Sequence, residues 1–140
     1  MATVTQLFGG DESTTGAAGA LALADTLVIV GLILSGELRH GVDPIAQAPR
    51  VAATVLPFLL GWYAVATLAG AYGEPAFAGG RSTARITVAA WLGGVNLALI
   101  ARGSPYLPGD SPWTFALVMS GLGAVVLGGV RPLVVGWLKD

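Results

Sequence analysis

The 140-residue chain contains no cysteine and few charged residues. The lack of cysteine excludes a small secreted module held together by disulfides. Only 11% of the residues are charged, and the seven basic residues are balanced by eight acidic ones. No basic excess is present to neutralise phosphates, which argues against a nucleic-acid-binding protein. The motifs HExxH, GxxxxGK[ST] and GxSxG are also missing, and we therefore predict no enzyme, no metal site and no cofactor.

The chain is instead rich in apolar residues, which make up 54% of it. This composition excludes disorder. A bilayer core of about 30 Å is crossed by roughly 20 apolar residues in a helix. Four segments have this length and lack the polar stripe of a soluble helix, namely residues 17–36, 51–71, 83–101 and 113–135. The sequence therefore predicts an all-α fold, a polytopic membrane protein with four transmembrane helices in an antiparallel bundle.

The domain organisation follows from the segments between these spans, which are short and contain glycine and proline. Residues 1–15 are polar and predict a mobile N-terminal tail, and residues 16–140 a single transmembrane domain. Four spans place both termini on the same side of a cell membrane. Four basic residues on that side against three on the other favour cytoplasmic termini. The lipid bilayer is the predicted partner.

Small residues recur at every fourth position in the third and fourth spans, so each set lies on one helix face. Small residues let membrane helices approach closely. These rows predict helix packing, either within the bundle or across the seam of a homodimer or a membrane complex. Their members are Ala90, Gly94, Ala98, Ala116, Ser120, Ala124 and Gly128.

Asp25 lies near the middle of the first span. An ionised carboxylate at this depth costs several kcal/mol unless it is paired or hydrated. Asp25 is therefore either a paired structural residue or a proton or cation site. Arg85 opens the third span and Arg131 lies towards the end of the fourth, and both enter from the side on which the first span begins. We hypothesise that Asp25 pairs with Arg131 or Arg85.

Two further residues complete the candidate polar site. His40 is the only histidine and lies near Glu37 and Asp43, which are residue types that can ligate transition metals. A single histidine in a short connection is more typical of a charged loop at the membrane surface. Arg102 ends the third span. The candidate polar site thus contains Asp25, His40, Arg85, Arg102 and Arg131.

Several short motifs occur in the same order as in a known family. They are Asp25, the stretch Gly36-Glu37-Leu38-Arg39-His40-Gly41, the stretch Pro57-Phe58-Leu59-Leu60-Gly61-Trp62, the set Thr87, Gly94 and Arg102, and the stretch Gly129-Val130-Arg131. Over residues 24–137 the chain resembles the domain of unknown function 3054 family, which consists of small multi-span proteins from archaea and bacteria. Glu37 stands where the family usually has a basic residue. The resemblance implies a four-helix integral membrane protein and no particular activity.

The sequence leaves two functions open. The first is a small oligomeric transport or permeation protein, in which Asp25 and an arginine lie along a polar path. The second is a structural or accessory subunit of a larger membrane complex, with the small-residue faces as docking surfaces. Solute or proton flux that depends on Asp25 distinguishes the first, and a stoichiometric partner without flux distinguishes the second.

Overall fold

Four long helices make up the computed structural model, which describes residues 12–106 and 112–139. The helices are α1 (Glu12–Arg39), α2 (Ala48–Ala69), α3 (Gly80–Arg102) and α4 (Trp113–Lys139), and a 3₁₀ helix (Glu74–Phe77) lies between α2 and α3. No strand occurs within the described ranges. Each long helix is long and apolar enough to cross a membrane. The predicted all-α class with four membrane spans is therefore confirmed.

The helices extend a few residues beyond most of the predicted spans, because a helix continues into polar residues that hydropathy does not count. Helix α1 begins at Glu12, so residues 12–15 of the predicted tail are helical, and the remainder of that tail lies outside the described residues. Helix α2 ends two residues earlier than predicted. It is followed by Gly70, whose φ of 79° is left-handed and suits glycine.

The helices run up and down, and each packs on its two neighbours in a closed ring from α1 to α4. Helix α3 has the most extensive contacts, with α2 and α4, and α1 packs less extensively. The start of α1, the end of α4 and residues 70–79 share one end of the bundle, which we call the terminal side. Residues 40–47 lie at the other end, which we call the far side.

Helices α2 and α3 approach most closely where two glycines face each other. A Cβ atom on Gly94 would lie 2.9 Å from the carbonyl oxygen of Gly61 and 3.0 Å from the Cα atom of Trp62. Ala90 and Ala98 are buried on the same face of α3 as Gly94. The row of small residues in the third span thus lies inside the bundle.

The small-residue row of the fourth span lies at the edge of the packed surface. Ala116, Ser120, Ala124 and Gly128 are half-buried. The buried row of α4 is the adjacent one and consists of Met119, Gly123, Leu127, Arg131 and Val135. Gly123 contacts the ring of Trp91, whose Nε1 donates a hydrogen bond to the carbonyl of Met119 at 3.0 Å. A large aromatic ring, rather than a facing row of small residues, thus sets the distance between α3 and α4.

Candidate functional site

An ion pair between Asp25 and Arg131 lies inside the bundle. Arg131 Nε donates to Asp25 Oδ1 at 2.8 Å, and Arg131 Nη2 donates to Asp25 Oδ2 at 3.2 Å. Each side chain is only 1% exposed. Two parallel hydrogen bonds between a guanidinium and a carboxylate form one of the strongest polar contacts in proteins. The pair therefore links α1 to α4 with both charges neutralised.

Helical periodicity explains why both charged residues point inward. Asp25 lies four residues from the buried Leu21 and Ile29 on α1, and Arg131 lies four residues from the buried Leu127 and Val135 on α4. Residues four apart share a helix face. Each charge thus occupies a core position of its helix.

The guanidinium of Arg131 has two further acceptors. Its Nη1 donates to Thr87 Oγ1 at 2.9 Å, and its Nη2 donates to the carbonyl oxygen of Ala71 at 2.9 Å. Thr87 in turn donates to the carbonyl of Thr83 at 2.7 Å. Arg131 is therefore bonded to α1, to α3 and to the segment that follows α2.

Tyr72 completes the surroundings of the carboxylate. Its hydroxyl donates to Asp25 Oδ2 at 2.5 Å and accepts a hydrogen bond from Trp62 Nε1 at 2.9 Å. Burial and the negative charge of Asp25 raise the pKa of Tyr72, so its hydroxyl stays protonated at neutral pH. The rings of Tyr72 and Trp62 each lie 5.2 Å from Arg131 Cζ and provide cation–π contacts.

Residues 70–79, which we call the cap loop, cover this site on the terminal side. The cap loop brings Ala71 and Tyr72 to the ion pair and is held to α3 by Thr83, whose Oγ1 donates to the carbonyl of Ala76 at 2.6 Å. Gly70 precedes the covering residues with φ of 79°, and Gly79 follows them with φ of 89°. The first and last residues of the cap loop are therefore left-handed glycines.

The structure does not bring the other three candidate residues to this site. Arg85 is exposed. It lies two residues from both Thr83 and Thr87, which are buried, so a rotation of about 200° places it on the opposite face of α3. Asp25 pairs with Arg131 and not with Arg85 for this reason.

His40 and Arg102 lie towards the far side. His40 is exposed after the end of α1, and the nearby Asp43 accepts hydrogen bonds from the backbone of Ile45 and Ala46, as in a turn. Arg102 Nη1 donates to Thr54 Oγ1 at 3.1 Å, and its Cζ lies 4.6 Å from the ring centre of Phe115. Among the described residues, no cluster of three His, Asp or Glu side chains could hold a metal ion. The five predicted residues thus occupy separate places, and only Asp25 and Arg131 meet.

The predicted site lacked Tyr72, Thr87, Trp62 and the carbonyl of Ala71. Thr87 and Trp62 belong to the motifs that carry the family resemblance, and those motifs are the sequence signal that could have indicated them. Tyr72 and Ala71 lie at or beyond the end of an apolar span, and no pattern in the sequence indicates that the cap loop folds back onto Arg131.

Four apolar helices joined by short connections, with a charged pair in the core, define a multi-pass integral membrane protein. A family model described as protein of unknown function (DUF3054) matches residues 22–134, and the chain belongs to that family. The match includes Asp25, Arg131 and the cap loop. Neither the search of curated proteins nor that of solved structures found a match.

Proposed function

We propose that this protein is a small transport or permeation protein that moves protons, and that the Asp25–Arg131 pair is the site where a proton enters and leaves. The observation that carries this proposal is an ion pair in the core of a membrane bundle, whose carboxylate accepts a hydrogen bond from Tyr72 of the cap loop on the terminal side. Intramembrane charges of this kind mark proton relays in many pumps and transporters.

Stability alone is a poor explanation for the pair. Burying two charges carries a large desolvation cost, and apolar residues of similar volume often stabilise a protein equally well. Asp25 and Arg131 also need Thr87, Ala71 and Tyr72 as hydrogen-bond partners. A site that needs this many hydrogen-bond partners is better explained by a function that uses its charges.

A proton suits this site better than a metal cation. Arg131 already neutralises the carboxylate, so a metal ion would have to displace the guanidinium from Asp25. A proton needs only one carboxylate oxygen, and Oδ2, to which both the Tyr72 hydroxyl and Arg131 Nη2 donate, is the one that contacts the cap loop. Protonation weakens the attraction of Asp25 for Arg131 and turns Oδ2 from an acceptor into a donor, so the hydrogen bond that Tyr72 of the cap loop donates to Asp25 must rearrange. Loops with glycine hinges often gate access to a site.

Proteoliposomes that enclose a pH-sensitive dye test the proposal when a potassium diffusion potential drives protons inward. The wild-type protein should acidify the lumen faster than protein-free liposomes, and Asp25→Asn should abolish the difference. Asp43→Asn is the matched control, because it removes an exposed carboxylate and asparagine also forms such turns. If Asp25→Asn does not fold, Tyr72→Phe is the variant to measure. It keeps the ion pair and should lower the flux. Wild-type flux equal to that of protein-free liposomes contradicts the proposal, as does full flux in folded Asp25→Asn.

One observation favours the second function, an accessory subunit of a larger membrane complex. Every buried side-chain nitrogen and oxygen within the described residues has a hydrogen-bond partner, so the site is complete without a substrate. An accessory subunit requires no flux in liposomes. It requires a partner protein that stays bound in stoichiometric amount through purification in mild detergent.

A further inference from the structure

We infer that two copies of the chain associate through the outer face of α3, with Asn96 of each copy bonding to Asn96 of the other. This association does not depend on proton transport. The face consists of Arg85, Ala89, Leu92, Asn96 and Ile100, which are all exposed and are spaced by three or four residues.

Asn96 is a polar side chain in an apolar setting. It lies six residues before Arg102, or about 9 Å deeper along α3, and so within the span. Its Nδ2 donates to the carbonyl of Leu92 at 2.6 Å, and no described residue donates to its Oδ1. Lipid tails offer no hydrogen-bond donor, so the exposed carbonyl is costly unless another protein surface covers it.

A second copy of the chain fits the chemistry of Asn96. A carboxamide carries both a donor and an acceptor and is therefore complementary to itself. A twofold axis along the membrane normal brings the same residue of each copy to the same depth and keeps both copies in one orientation. Asparagine is among the residues that hydrogen-bond between membrane helices.

The surface next to Asn96 also suits a packed helix. A groove of about 450 Å³ runs between α2 and α3, and its residues include Ala53, Gly61, Ala64, Leu97 and Ala101. It adjoins the Asn96 face through Leu97, and apolar side chains of the other copy, such as Ile100, can fill it. Arg85 lies about 16 Å from Asn96 towards the terminal side, where two crossing helices diverge and the guanidiniums need not oppose each other.

The absence of cysteine allows single-cysteine cross-linking. Leu92→Cys reports on the proposed face and leaves Asn96 intact. Val125→Cys is the control, because Val125 is an exposed apolar residue on α4. The hydrogen bond between Arg131 and Thr87 aligns α4 with α3 and puts Val125 at nearly the same depth as Leu92. With a short bismaleimide in proteoliposomes at low protein density, Leu92→Cys should give a cross-linked dimer and Val125→Cys should remain monomeric.

The hydrogen bond is tested in the Leu92→Cys background. Adding Asn96→Leu should lower the cross-linked fraction by roughly fivefold, and adding Asn96→Gln should keep it near the starting value. Cross-linking of Leu92→Cys no greater than that of Val125→Cys overturns the inference, which would be the outcome if a lipid chain occupies the groove. An unchanged dimer with Asn96→Leu also overturns it. Absence of the dimer leaves proton flux intact. This outcome is therefore distinguished from failure of the proposed function, in which the flux itself is absent.

Discussion

At the scale of single residues, Asp25 and Arg131 depend on each other. Each is nearly inaccessible to solvent, and each is neutralised only by the other. Removing one partner leaves an uncompensated charge inside the bundle, whereas removing both leaves none. Thr87 and Tyr72 contribute additional hydrogen bonds to a contact that is already electrically balanced.

Arg131→Met should therefore destabilise the folded protein by about 3–5 kcal/mol, because the Asp25 carboxylate loses its partner. The double variant Asp25→Leu/Arg131→Met should recover most of this loss. Thermal unfolding of the detergent-solubilised protein measures both effects. Arg85→Met, at an exposed position, should unfold close to the wild-type temperature. Equal destabilisation by the single and the double variant would contradict a role for charge pairing.

Apolar composition was enough to single out Asp25 in the sequence, because a lone carboxylate in a span is conspicuous. The sequence leaves its partner open between Arg131 and Arg85, since both enter the membrane from the same side. The choice depends on the rotation of α3 and α4 about their axes, which hydropathy alone does not define for helices that are apolar on every side. Tyr72 was missed because its role depends on the path of the cap loop.

At the scale of helices, close packing is set by a few glycines. Gly61 and Gly94 let α2 and α3 touch through their backbones, and Gly123 accommodates the Trp91 ring. The row of Ala90, Gly94 and Ala98 was predictable from its four-residue spacing. The face of α4 that packs on α3 was harder to predict, because α4 has small residues on several faces. The large Trp91 ring packs on the face that contains Gly123.

Gly94→Ala should separate α2 from α3, since its Cβ atom would lie 2.9 Å from the Gly61 carbonyl oxygen. Backbone cannot move away as a flexible side chain can, so we expect a loss of about 1–3 kcal/mol. Gly31→Ala is the matched control, because it is a helical glycine with nothing within 4 Å of the added atom. Alanine there should leave stability unchanged or raise it by up to about 1 kcal/mol. Chemical unfolding of both variants gives the comparison, and equal effects would mean that the contact is not tight.

At the scale of the whole molecule, burial changes the meaning of the charge count. Four basic residues on the terminal side against three on the far side favoured cytoplasmic termini. Arg131 is one of the four, and its charge is neutralised inside the bundle rather than carried by a loop. The basic residues that remain are equal in number on the two sides. Loop charge therefore gives little basis for orientation, and a direct measurement is needed.

Single-cysteine labelling provides that measurement, because the chain has no cysteine of its own. His40 and Arg81 are both exposed, and the up-and-down order of the helices puts them at opposite ends of the bundle. In intact cells a membrane-impermeant maleimide should label only one of His40→Cys and Arg81→Cys, and permeabilisation should expose the other. Labelling of His40→Cys before permeabilisation corresponds to cytoplasmic termini, and labelling of Arg81→Cys to the reverse. Equal labelling of both in intact cells would contradict a single orientation of the four-span bundle.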